Sequence, residues 1–292
     1  MRPSDLARLA LLGTIWGSSF LLISVALKGL SPIQIVGGRI LVAALTMVAI
    51  ARARRLKLPN SLDVWRALLV VAVISNIVPF TLIAWGQERI PSGLAAILNS
   101  TTPLFTAVIA AFFLPGERLR PMRTAGITLG FVGVIVIVGL EPAGGLPGQL
   151  AVVAAAAAYA GGFVYVRRRL SGRGSSAVTF SAGQMIAGSA LIAVPTGIDL
   201  TIHPPTPRIA SVLAVVVLGA LGSGIAYVIY YRLIEDIGAT SASFVTYLIP
   251  VVGVALGHVF LEERLRWNTF VGAALVICGI SIAERAASRR RV

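Results

Sequence analysis

The chain has 292 residues, 57% of them hydrophobic and 12% charged, with 25 Lys and Arg against 11 Asp and Glu and a formal net charge of +14. Soluble domains are ~45–50% apolar, and a mean hydropathy of +0.90 sets this chain apart from them. Apolar runs follow one another with only short joins, none long enough to bury a separate soluble core, which excludes an appended enzyme or receptor domain.

Ten spans reach or approach the ~20 residues a helix needs to cross ~30 Å of hydrocarbon. They are 6–27, 33–51, 66–87, 92–114, 122–140, 147–168, 176–197, 208–231, 238–260 and 268–286. The first has the basic start of a signal peptide and the small-residue patch Ser24-Val25-Ala26. Its apolar run outlasts the ~7–15 residues of a signal core, so it is expected to stay as an uncleaved helix. Trp16 lies near its middle, away from the interfaces where belt aromatics belong, and Ser19 follows one turn later.

The second span contains Arg39, whose burial in hydrocarbon costs ~2.5–3.5 kcal/mol on insertion scales. Either a substrate carboxylate pairs with it, or it caps backbone carbonyls or snorkels toward the outer headgroups and so locks the second helix in place, or it sets the local electrostatics. Asn76 lies in the third span, and the fourth is interrupted by LNSTTPL, which contains Asn99, Thr102 and Pro103. At ~1.5 Å per residue, Pro103 lies about 16 Å deep, and Pro250 in the ninth span is as deep. Each proline removes the amide that would bond the carbonyl four residues back, that of Asn99 or Thr246. Irregular backbone at this depth is expected to line a cavity, with Tyr247 beside it. The alternative is a kink healed by its own Ser and Thr hydroxyls.

In the sixth span Tyr159 matches Trp16, and in the seventh Gln184 matches Arg39 in polarity but not in charge. Tyr227, Tyr230 and Tyr231 in the eighth are candidates for an inner gate. Trp65, Trp85 and Trp267 fit the interfacial belt. Gly13-xxx-Gly17, Gly126-xxx-Gly130 and Gly253-xxx-Gly257 permit close helix approach, expected within the chain. His258 and His203 read as local hydrogen-bonding residues, with proton coupling the lesser alternative for His258. Cys278 stands alone and forms no intrachain disulfide.

With the N-terminus inside, most cations fall in inner segments: Arg2 and Arg8, the cluster from Arg52 to Arg66, Arg118 to Arg123, Arg167 to Arg173, Arg232, and Arg285 to Arg291. Only Lys28, Arg89, Arg208, Arg264 and Arg266 fall outside. This is the positive-inside pattern, with both termini cytoplasmic, and no nucleic-acid partner is implied. All 11 carboxylates fall at loops, termini or helix ends, which argues against cation/proton exchange on a midplane acid. Neither a phosphate-binding loop nor a HExxH pair nor an acidic metal cluster appears, so no enzymatic chemistry is expected.

The chain is also written twice. FFLPGERLR (112–120) lies over VFLEERLR (259–266), Pro103 over Pro250, and Gly126 and Gly133 over Gly272 and Gly279. More weakly, Trp16-Gly17-Ser18-Ser19-Phe20 lies over Tyr159-Ala160-Gly161-Gly162-Phe163, and Gly38-Arg39 over Gly183-Gln184. A period of five helices is odd, so the second copy enters the membrane inverted, an arrangement frequent in secondary transporters.

These features resemble the drug/metabolite transporter superfamily, EamA branch, and within it bacterial amino-acid exporters of the YddG type. The resemblance implies an all-α membrane protein of ten transmembrane helices in two inverted repeats, 1–143 and 144–292, that exports metabolites without a cofactor. The expected function is inner-membrane export of amino acids, aromatic ones included, by alternating access through a central cavity. Export of another metabolite or a neutral drug is the alternative in the same class; a lipid scramblase or channel is the alternative outside it. The partners expected are a small-molecule substrate and the bilayer, with the monomer as the working unit.

Overall fold

The computed structural model describes residues 2–114, 119–139, 145–170, 176–206, 208–237 and 245–288; the side chains of 139, 177, 231, 234, 235 and 284–288 lie outside the description. Among these residues the chain forms ten helical rods. They are α1 (Pro3–Ala26), α2 (Pro32–Ala53), α3 (Leu62–Ala72, continued as Val78–Gln87), α4 (Ser92–Asn99 and Thr102–Phe113) and α5 (Pro121–Gly139). They continue as α6 (Leu146–Arg169), α7 (Ala177–Ile202), α8 (Ile209–Val217, continued as Ala226–Ile237), α9 (Val245–Leu261) and α10 (Trp267–Ser288). Eight are long and apolar enough to cross a bilayer, and the described parts of α9 and α10 are shorter apolar helices. Residues 238–244, expected to open the ninth span, lie outside the described set, as do Glu117, Arg118, Glu141 and Arg173.

Helix starts follow local chemistry. Pro3, Pro32 and Pro147 sit in first turns, where the missing amide costs nothing. Ser31 caps α2 by accepting from Gln34 N at 3.2 Å, while Gln34 Oε1 takes the Ser31 amide. Leu45, Phe112, Ile135, Val194, Ile209 and Phe260 project outward, more than half exposed, as lipid-facing side chains must in a chain that has lipid for solvent.

The packing follows the internal repeat. α5 packs on α10, α2 on α7 and α4 on α9, each a helix against its own counterpart. The remaining contacts come in matched sets: α1 on α9 with α6 on α4, α1 on α8 with α6 on α3, and α2 on α8 with α7 on α3. That pairing is what an approximate twofold axis in the membrane plane produces. The glycines matched in sequence meet crosswise in space. A Cβ on Gly279 would lie 2.5 Å from backbone atoms of Gly126 and Gly130, and one on Gly133 would lie 2.6 Å from Gly272 O, so α5 and α10 touch backbone to backbone. The other small-residue pairs also serve contacts inside the chain, Gly13 facing Leu248, Gly17 facing Val252 and Gly253 facing Ala96.

Two departures from α geometry were not anticipated. Val73–Ile77 in α3 and Leu218–Ile225 in α8 are π-helical turns, and they occupy corresponding places in the two halves. Such turns often mark functional sites, because the widened turn redirects side chains.

Candidate functional site

Between the two halves lies a cavity of about 420 Å³. At one end it reaches Arg123, Val245 and Ala283, at the termini-bearing ends of α5, α9 and α10; at the other it stops against Ile23 and Ile83. One residue beyond Ile23, Ser24 Oγ donates to Gln87 Oε1 at 3.0 Å and ties α1 to α3.

Of the residues expected to line such a cavity, Trp16, Ser19, Arg39, Asn99, Thr102, Pro103, Tyr159, Tyr227 and Thr246 do so, together with Tyr230. The side chain of Tyr231 lies outside the described set. Asn76, Gln184, Tyr247 and Pro250 do not line it. Gln184 Nε2 donates to Asn76 Oδ1, while Asn76 Nδ2 is buried with no hydrogen-bond partner among the described residues. Tyr247 packs against the main apolar core, and Pro250 is buried within α9.

The break at LNSTTPL takes the healed form. Ser100 Oγ donates to Ile97 O at 2.6 Å, Thr101 Oγ1 to Leu98 O at 2.7 Å and Thr102 Oγ1 to Asn99 O at 2.7 Å. The Asn99 carbonyl that Pro103 deprives of an amide is therefore satisfied by a hydroxyl, and the expectation of a freed backbone acceptor is corrected there. The side chain offers the acceptor instead: Asn99 Oδ1 is buried and has no hydrogen-bond partner among the described residues, and Ser75 Oγ is in the same state. Both residues line the cavity.

Arg39 is 7% exposed. Its Nε donates to Ser223 Oγ at 2.8 Å, and its guanidinium carbon lies 3.7 Å from the centroid of the Phe80 ring, a cation–π contact. Among the described lining residues there is no Asp or Glu, and the charged ones are Arg39 and Arg123. The snorkelling alternative does not hold, since the guanidinium is fixed inward by Ser223 and Phe80.

The cavity that holds the guanidinium also has an aromatic wall. The indole N–H of Trp16 donates to Gly222 O at 3.1 Å in the α8 π-turn. The Trp16 ring lies 6.1 Å from Tyr227 and 5.3 Å from Tyr230, and Phe80 lies 6.3 Å from Tyr159. Such an arrangement has the chemistry to hold a carboxylate at one point and an apolar or aromatic body beside it. Ser223, Phe80 and Ser75 escaped the sequence reading. The signal available was the register of the repeat, which lays Asn76 on Ser223 when Pro103 is laid on Pro250.

Beyond the far end of the cavity a polar seam joins α4 to α9. α9 ends with Glu262 in the left-handed region (φ 55°), and Glu263 N donates back to Gly257 O at 3.1 Å, a helix-ending turn that swings the Glu263 side chain toward α4. Its carboxylate accepts from Ser92 N at 2.7 Å and Gly93 N at 2.9 Å, at the positive end of α4. His258 Nδ1 lies 3.1 Å from Glu263 O, a local role as expected. On the same face Asp199 takes the Ser31 hydroxyl and lies 3.0 Å from His203 Nδ1, and Gln34 Nε2 donates to His203 O at 2.8 Å. These bonds tie the start of α2 to the end of α7.

The model of the EamA-like transporter family matches the chain twice, over residues 7–139 and 146–284. A probable amino-acid metabolite efflux pump of Escherichia coli (strain K12) is 28% identical over 281 residues, covering 92% of this chain and 90% of that one. A probable terminal-alkyne amino-acid exporter of Streptantibioticus cattleyicolor is 27% identical over 277 residues, covering 94% and 92%. A solved crystal structure superposes with a TM-score of 0.65 over 99% of this chain and 100% of its own, at 24% identity, which bears on the fold alone. Two inverted sets of five apolar helices, a cavity between them and a family match in each half make this chain a multi-pass membrane transporter of the EamA-like family.

Proposed function

We propose that the protein exports amino acids with apolar or aromatic side chains by alternating access, using the central cavity as its substrate site. The observation that carries this reading is the cavity's chemistry: one buried, oriented guanidinium, an aromatic wall and no carboxylate among the described lining residues. The substrate carboxylate engages the terminal nitrogens of Arg39 in the forked geometry arginine favours. Its ammonium is taken by Asn99 Oδ1 and by the faces of Trp16 and Tyr227, and its side chain lies along the aromatic wall.

The relatives' names support amino acids as the substrate class, and the seam at Glu263 supports a state closed at the end away from the termini. Opening requires that seam to part while the opposite end closes, the two halves, residues 1–143 and 144–292, rocking about their pseudo-twofold axis. The arginine-rich segments support cytoplasmic termini in a bacterial cell, and with that orientation the described state faces inward. A cavity lined from both halves of one chain supports the monomer as the working unit, with no cofactor called for.

Uptake into liposomes containing the purified protein tests this, comparing phenylalanine, leucine, aspartate and lysine with and without a pH gradient. Phenylalanine and leucine are expected to enter above the empty-vesicle background. If no amino acid does, the reading is wrong.

A further inference from the structure

The Arg39–Ser223 hydrogen bond has a counterpart in the other half of the molecule. Gln184 stands in α7 where Arg39 stands in α2, and it donates to Asn76 in the π-turn of α3, as Arg39 donates to Ser223 in the π-turn of α8. Each half therefore reaches from its second helix into the π-turn of the other half's third helix. The two joints share position but not chemistry. One is a neutral amide pair shut off from the cavity; the other carries the cavity's buried charge.

We infer that Ser223 is a positioning residue for substrate, and that the inequality of the two joints makes carboxylate recognition one-sided. A guanidinium has five N–H donors fixed in a plane. Ser223 takes the Nε–H and Phe80 covers one face, so the terminal nitrogens are the donors left to turn toward the cavity. Gly222, next to Ser223, lines the cavity, and a Cβ there would come within 3.9 Å of Arg39 Nη2, so the forked end lies against the cavity wall. The glycines of the π-turn bring α8 this close: a Cβ on Gly219 would fall 2.7 Å from Arg39 O. Without Ser223, the long arginine side chain regains its rotamers, and the directional fork becomes a loosely placed charge. Gln184 presents no charge at the matching joint, so of the two joints a carboxylate docks against that of Arg39 only and the amino acid enters in one orientation.

The inference rests on the amino-acid reading above, and its test separates the two. Equilibrium binding to the purified full chain is measured with L-phenylalanine and with L-phenylalaninamide, which lacks the carboxylate. The wild type should prefer phenylalanine. Ser223→Ala should weaken phenylalanine binding by about tenfold, the scale of one hydrogen bond to a charged group, and leave the amide unchanged. Ser223→Thr, which keeps the hydroxyl, should restore the preference. Asn76→Ala removes the matching bond of the neutral joint and should lower thermal stability without altering the preference. Should Ser223→Ala not fold, Ser223→Cys, a weak acceptor of similar size, carries the same expectation. A wild-type preference that survives in Ser223→Ala, or is lost equally in Asn76→Ala, overturns this inference alone. A wild type that prefers neither compound overturns it together with the amino-acid reading.

Discussion

Glu263→Gln should loosen the closed end of the cavity. Two backbone amides, of Ser92 and Gly93, point at the carboxylate at 2.7 and 2.9 Å, and a glutamine has one acceptor oxygen to offer where glutamate has two. The substitution removes one hydrogen bond to a charged group, about 2 kcal/mol. That shifts the balance between closed and open seams by about 30-fold toward open. The reporter is a cysteine at Ile83, which lines the cavity just inside the seam, in a Cys278→Ser background. A membrane-impermeant maleimide applied from the face opposite the termini should label it about 30-fold faster in Glu263→Gln. Gly257→Ala should act in the same direction, because its Cβ would sit 2.4 Å from Glu263 Oε2 and push the carboxylate off the amides. Unchanged labelling in both variants would mean that the Ser24–Gln87 and Asp199 contacts hold the end shut without Glu263, and would refute the reasoning.

Arg39→Gln should abolish phenylalanine transport in liposomes with folded yield preserved, and Arg39→Lys should not rescue it, because an ammonium neither stacks on Phe80 nor forks toward a carboxylate. Gly279→Ala should lower the melting temperature in detergent by several degrees, since its methyl would meet the backbone of Gly126 and Gly130 at 2.5 Å; overpacking of this kind costs about 1–3 kcal/mol. Thr102→Val deprives the Asn99 carbonyl of its donor and should cost about 1–3 kcal/mol in chemical denaturation, whereas Ser281→Ala, whose hydroxyl bonds the already helix-bonded Ile277 carbonyl at 2.8 Å, should cost under 1.

The helical course and the inverted pairing were legible because lipid imposes length and composition on each span, and because a duplicated chain repeats its Pro, Gly and Glu at fixed register. Arg39, Trp16, Tyr159 and Asn99 could be singled out as polar or amphipathic side chains where hydrocarbon penalises them. The π-turns could not, since VISNI and LGALGSGI look like ordinary apolar helix; the extra residue in the turn is fixed by packing of α8 against α2 and of α3 against α6 and α7. Asn76 and Gln184 were misassigned to the cavity because sequence gives the depth of a residue but not the direction it faces. At LNSTTPL the proline was read correctly as an interruption, but hydroxyls at three consecutive positions reach back to the carbonyls that sequence alone left open.

The seam between α5 and α10 has one more consequence. Because Gly126 meets the counterpart of Gly133, and Gly133 the counterpart of Gly126, the contact is isologous, the kind by which two identical subunits join about a twofold axis. A chain of half this length could assemble through the same surface, provided that its copies inserted in both orientations. Joining the halves removes that requirement: the linker fixes the relative orientation of the halves, and the arginines are then free to collect on one face. With the two copies no longer obliged to be alike, one could acquire a charge at Arg39 while the other kept the neutral Gln184.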